Sequence, residues 1–120
     1  MRLEYQHSVE RTPIVEVYHA APGRLQFTRM EFVSHGAGLP TSGYVREGGR
    51  FVLREVRELP VLPIRVSHLA APRLVIEGVG VLDLVALAGD GGLVEVSSSR
   101  LPRVALWLRG SSLSSGAQDD

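Results

Sequence analysis

The sequence contains no cysteine, no lysine and no asparagine, and only one tryptophan, Trp107. The first absence excludes disulfides, thiolate metal centres and cysteine nucleophiles. Without lysine no imine can form with a carbonyl substrate. All 13 basic residues are arginines, and 13 acidic residues balance them to a formal net charge of zero. Such an even mixture lacks the basic footprint of a nucleic-acid binder. Long hydrophobic runs are also missing: nothing approaches the ~20 consecutive apolar residues that span a bilayer. The first residues, Met1-Arg2-Leu3-Glu4-Tyr5, lack the apolar stretch of a signal peptide. As written the chain is expected to be cytoplasmic, and extracytoplasmic only if an N-terminal export segment has been lost.

What is present is strand patterning. A chain of 120 residues, 44% of them hydrophobic, makes one domain with a real core. Alternation with a period of two recurs between turn residues. Leu3, Tyr5 and His7 share a face of a first strand. Residues 13–19 form a second, with Val15 and Val17 expected inward, and the two make a hairpin. In the strand over residues 24–34, Leu25 and Phe27 have one parity and Met30 and Phe32 the other, so a bulge is expected near Thr28 and Arg29. Residues 35–49, rich in glycine, read as a loop. Strands follow at 50–58, 62–69 and 73–77. Residues 79–88 are ambiguous between a short helix and a strand; the strand is preferred, in a hairpin with 93–97 across Gly89-Asp90-Gly91-Gly92. A last strand covers 103–109. The expected architecture is all-β, a small antiparallel sandwich or partly open barrel of about eight strands over residues 1–109. Residues 110–120 are expected to be a disordered tail.

Three groups of residues could carry chemistry. His7-Ser8-Val9-Glu10, with Glu16 on the following strand, gathers an imidazole, a hydroxyl and two carboxylates in one hairpin. A serine hydrolase needs those groups, but neighbours on a strand point to opposite faces and no G-x-S-x-G elbow occurs. A turn bonded to its own backbone explains the same residues. The loop His35-Gly36-Ala37-Gly38 could aim backbone N–H groups at an anion, although it lacks the third glycine and trailing lysine of the nucleotide-binding loops. The histidines His7, His19, His35 and His68 have no metal-ligand spacing, so no metal and no cofactor is expected.

The pattern Tyr5-Gln6-His7-Ser8-Val9-Glu10-Arg11-Thr12-Pro13, then Glu16, then a strand running into Phe32, then Gly36-Ala37-Gly38-Leu39-Pro40, resembles a small bacterial family of unknown function. Its genes commonly sit beside TRAP-type transporters of the TAXI class. The resemblance runs from Leu3 to about Ser97. Family members often begin with a hydrophobic export or anchor segment and another strand; here the sequence starts at its first strand.

The resemblance implies an accessory or small-ligand-binding protein, its partner a TRAP transporter component or that component's ligand. The residues expected to bind are His7, Ser8, Glu10, Glu16, His35, Gly36 and Gly38, with none assigned a catalytic role. Two alternatives use the same chain: a small hydrolase or metal-dependent enzyme built on His7, Glu10 and His35, and a structural domain that pairs through a sheet edge.

Overall fold

The computed structural model describes residues 1–34, 39–99 and 106–111. These form ten strands and one short helix: β1 (Arg2–Gln6), β2 (Pro13–Ala21), β3 (Arg24–Phe32), β4 (Tyr44–Glu47), β5 (Arg50–Leu59), β6 (Val61–Arg65), β7 (Arg73–Ile76), β8 (Gly80–Asp83), α1 (Leu84–Ala88), β9 (Leu93–Ser98) and β10 (Leu106–Ser111). All pairings are antiparallel. One sheet has seven strands in the order β4-β5-β3-β2-β1-β7-β8; the other has three, in the order β10-β9-β6. The all-β expectation holds, as an open two-sheet structure rather than a closed barrel.

Pro60 separates β5 in the large sheet from β6 in the small one. Proline cannot donate to a ladder, so pairing stops there and the chain changes sheet. The core fills the space between the sheets: Leu25 of β3, Leu74 of β7, Leu84 of α1 and Val94 and Val96 of β9 are fully buried in one cluster. Each such side chain contributes roughly 1.5–3 kcal/mol of burial. A second apolar group lies toward the other end of the large sheet, where Phe32, Tyr44 and Phe51 have ring centroids 5.1–5.5 Å apart.

The bulge appears where the parity slip demanded it. Val17 pairs with Arg29 and Tyr18 with Phe27, leaving Thr28 without a partner on β2. Thr28 Oγ1 donates to the Val17 carbonyl at 3.1 Å and holds the irregularity in place. The extra residue lets Leu25, Phe27 and Phe32 all be buried despite their mixed parity.

Four expectations need correction. The inward face of β2 is Ile14, Glu16 and Tyr18, with Ile14 and Tyr18 buried, while Val15 and Val17 are only half-buried on the opposite face. The cross-strand register, Leu3 to Glu16 and Tyr5 to Ile14, fixes this phase. The segment 35–49 is not all loop: β4 pairs with β5 across Gly48 and Gly49, whose φ values of 56° and 81° meet the left-handed requirement of a tight hairpin. Residues 79–88 divide into β8 and α1, so β8 returns to β7 and β9 pairs instead with β6 and β10. Asp83 switches the chain to helix, its Oδ1 accepting from Val85 N at 3.0 Å and Ala86 N at 3.3 Å. Finally, the last strand runs to Ser111. Residues 103–105 of the expected strand, and the expected tail beyond Ser111, lie outside the described residues.

Candidate functional site

Alternation along β2 places Glu16 between Ile14 and Tyr18 on the face that turns inward, opposite Leu3 of β1 and Met30 of β3. A carboxylate there needs partners, because removing a charge from water without compensation is costly. Two phenols supply them. Tyr5 donates its O–H to Glu16 Oε2 at 2.5 Å, and Tyr18 donates to Oε1 at 2.5 Å. Burial, and then the charge of Glu16, raise both tyrosine pKa values well above the ordinary value of 10. Both hydroxyls therefore stay protonated donors throughout the physiological range.

This carboxylate differs from the other glutamates of the seven-stranded sheet. Glu4, Glu31, Glu47, Glu55 and Glu58 each meet an arginine within 3.0 Å. Among the described residues no basic group pairs with Glu16. Each oxygen has a second lone-pair direction beyond the one its tyrosine uses.

Glu16 lines a cleft of about 420 Å³ with Phe27 and Met30 of β3 and Leu53, Glu55 and Arg57 of β5; Leu39 and Pro40 complete the wall. The Phe27 ring stands edge-on to Tyr18 at a centroid distance of 5.5 Å. The Arg57 guanidinium lies 4.8 Å from the Phe27 centroid, and its Nε meets Glu55 Oε2 at 2.7 Å. The cleft thus combines an apolar wall, a fixed carboxylate and an arginine already balanced by a glutamate. A larger depression, about 470 Å³, involves Glu4, Gln6, Arg11 and Val15, but its carboxylate is already held by Arg2 and Arg73.

The H-S-V-E turn is built otherwise than a catalytic pair. His7 is buried, and its Nδ1 accepts from the backbone N–H groups of Val9 at 3.2 Å and Glu10 at 3.1 Å. His7 N–H donates to the Thr12 carbonyl at 2.9 Å, and Arg11 N–H to the His7 carbonyl at 2.8 Å. Arg11 takes the left-handed conformation, φ 61°, that closes the turn. Ser8 and Glu10 are exposed. An imidazole nitrogen occupied by two amides is a turn brace, and the general-base role expected of a hydrolase is not what that nitrogen performs. His19 and His68 are exposed, and no group of three metal-ligating side chains occurs among the described residues.

His35, Gly36 and Gly38 lie outside the described residues, but both flanks of their loop adjoin the turn. Thr12 Oγ1 and Ser34 Oγ are 2.8 Å apart. Leu39 lines a cleft of about 200 Å³ with Tyr5, His7 and Ser8. Leu39 also borders the cleft over Glu16, so Tyr5 and Leu39 join the two spaces. Of the expected binding residues, the structure places Glu16 in the larger cleft and His7 and Ser8 in the smaller; Glu10 lines neither.

A family model described as a domain of unknown function, DUF1850, matches residues 1–81. The chain belongs to that family. The match ends within β8, short of Ser97, and every residue of both clefts falls inside it. Comparison with curated proteins and with solved structures found no match. Sequence reasoning missed Tyr18, Phe27 and Arg57 as parts of this DUF1850 cleft. The signal was the I-x-E-x-Y alternation of β2: a carboxylate between two large apolar side chains, with Tyr5 in reach on the neighbouring strand.

Proposed function

We propose that this DUF1850 domain is a small-ligand-binding accessory protein of a TAXI-type TRAP transporter, and that the ligand occupies the cleft over Glu16. The observation that carries the reading is the fixed, partly buried Glu16 carboxylate, without a basic partner among the described residues, beside apolar walls in a concavity. Binding sites are typically concave and mostly apolar with a few well-placed polar groups. The transporter association rests on the resemblance of the H-S-V-E and G-A-G-L-P signatures. No membrane-crossing helix is needed for that role, and among the described residues no helix is long and apolar enough to cross a membrane.

The test is a thermal-shift screen of small metabolites against the wild-type domain and against Leu53→Trp, which fills the cleft. Compounds that stabilise the first and not the second support the reading. If no compound separates the two proteins, the cleft is not a ligand site. Affinity capture of the transporter's membrane component by the tagged domain, lost on adding a ligand or in Leu53→Trp, would tie binding to transport.

A further inference from the structure

The ligand's chemistry follows from the charges of the cleft, and this inference rests on the ligand-binding reading above. Two carboxylates, Glu16 and Glu55, and one guanidinium, Arg57, line the cleft. Arg57 and Glu55 form an ion pair at 2.7 Å on the exposed part of β5. That pair leaves Glu16 as the uncompensated charge. Its two tyrosine donors orient it and stabilise it without cancelling it, since a phenol O–H is a dipole and stays protonated here. A carboxylate in a partly desolvated site favours a cation over an anion, because opposite charges attract more strongly as the effective dielectric falls. Phe27, Met30 and Leu53 offer apolar surface beside it.

We infer that the cleft binds a small ligand bearing an ammonium group on an apolar frame, the ammonium on Glu16 and the frame against Phe27, Met30 and Leu53. An ammonium has three donors and no acceptor, which suits the outer lone pairs that the tyrosines leave on Glu16. Among the described residues no hydrogen bond or ion pair engages Arg57 Nη1 or Nη2, its ion pair running from Nε to Glu55. Those groups can take a carboxylate carried on the same ligand, so free amino acids fall within the class. A ligand whose only charge is negative gains nothing at Glu16.

Three compounds that differ by one group each test this: leucine, 3-methylbutylamine (leucine without its carboxylate) and 4-methylpentanoate (leucine without its amine). Binding is measured by calorimetry at pH 7 on the wild-type domain, Glu16→Gln and Leu53→Trp, with circular dichroism confirming that each variant is folded. The amine and leucine should bind, the acid at least tenfold more weakly, and Glu16→Gln should weaken the amine at least tenfold. Comparable binding of acid and amine, or an amine unaffected by Glu16→Gln, overturns the inference. Should Glu16→Gln fail to fold, the comparison of amine with acid on the wild-type domain decides alone. If the amine and leucine fail while another compound binds in a manner blocked by Leu53→Trp, the ligand class is wrong and the cleft remains a site. If nothing binds and Leu53→Trp is without effect, both readings fall.

Discussion

Replacing His7 by alanine isolates the brace in the H-S-V-E turn. His7 is 8% exposed, and its Nδ1 accepts from the N–H groups of Val9 and Glu10. Alanine leaves both amides without that acceptor. Each lost bond costs about 0.5–1.5 kcal/mol net. The two together give an expected cost of about 1–3 kcal/mol, which loss of the buried ring's packing moves toward the upper end. For a domain of this size that corresponds to a fall in Tm of roughly 4–12 °C.

Urea unfolding followed by tryptophan-independent circular dichroism gives the free energy directly. The companion variant is His7→Asn. Its side-chain oxygen can accept from backbone amides two and three positions on, as in an Asx turn, and should recover about half of the loss. An alanine cost below about 0.5 kcal/mol would show that the two bonds are dispensable. Equal costs for alanine and asparagine would show that packing of the ring, rather than the acceptor, is what matters. A ligand-binding role for His7 would instead leave stability nearly unchanged and remove binding.

Four other outcomes are expected. Phe32→Ala, at a position 1% exposed, should cost about 3–5 kcal/mol in urea unfolding. Tyr18→Phe deletes one of the two donors to Glu16 and should cost about 1–3 kcal/mol, with the double variant Tyr5→Phe/Tyr18→Phe departing from additivity because both act on one carboxylate. Asp83→Ala removes the cap of α1 and should cost about 0.5–2 kcal/mol, measurable as a lower midpoint in the same assay. Acid titration of Tm tests the surface pairs: hydrogen bonds from Arg29 and then Arg50 hold Glu31 below its ordinary 4.5, and the bond from Arg2 leads the depression of Glu4. A depressed folded pKa gives stability that is complete above the unfolded value and lost as pH falls through the folded one, so Glu4→Gln/Glu31→Gln should flatten the Tm profile below about pH 4.5.

Fold class, the first hairpin and the bulge were legible because each follows from local pattern. Leu25, Phe27, Met30 and Phe32 cannot share one side of a regular strand, and Thr28 is the extra residue that resolves the conflict. Strand β4 was lost among glycines although Gly48-Gly49 is itself a hairpin signal. The stretch 79–88 was harder, since Val81-Leu82-Asp83-Leu84-Val85 fits either period. Two hydrogen bonds to a side chain, from the amides of Val85 and Ala86 to Asp83 Oδ1, decide it. In the site, Glu16 was named from the sequence, but its partners were not. Tyr5 bonds it from the neighbouring strand β1, and Arg57 of β5 enters the same cleft from beyond β3, placements that depend on register that a linear pattern does not contain.

The face of β2 was assigned wrongly for a reason that bears on function. Val15 and Val17 look like the core stripe because the alternative stripe, Ile14, Glu16 and Tyr18, has a carboxylate at its centre. Local pattern and global fold conflict at that residue, and such conflicts concentrate at functional or strained positions. Here the conflict is resolved by two tyrosine hydroxyls, which give the polar residue hydrogen-bond donors on the inward face. The second conflict, the parity slip at Thr28, lies beside it. The bulge allows Phe27 and Met30, three residues apart on β3, to line the same cleft as Glu16. Bulges are over-represented where a strand must re-aim a side chain next to a site. Two departures from regular strand patterning, on adjacent strands, therefore serve one concavity. A sheet face that existed only to pack would need neither: a valine at position 16 and an unbroken β3 would bury more apolar surface. That they meet at the cleft is the structural argument for placing the proposed ligand site at Glu16 rather than at the more conspicuous histidine turn.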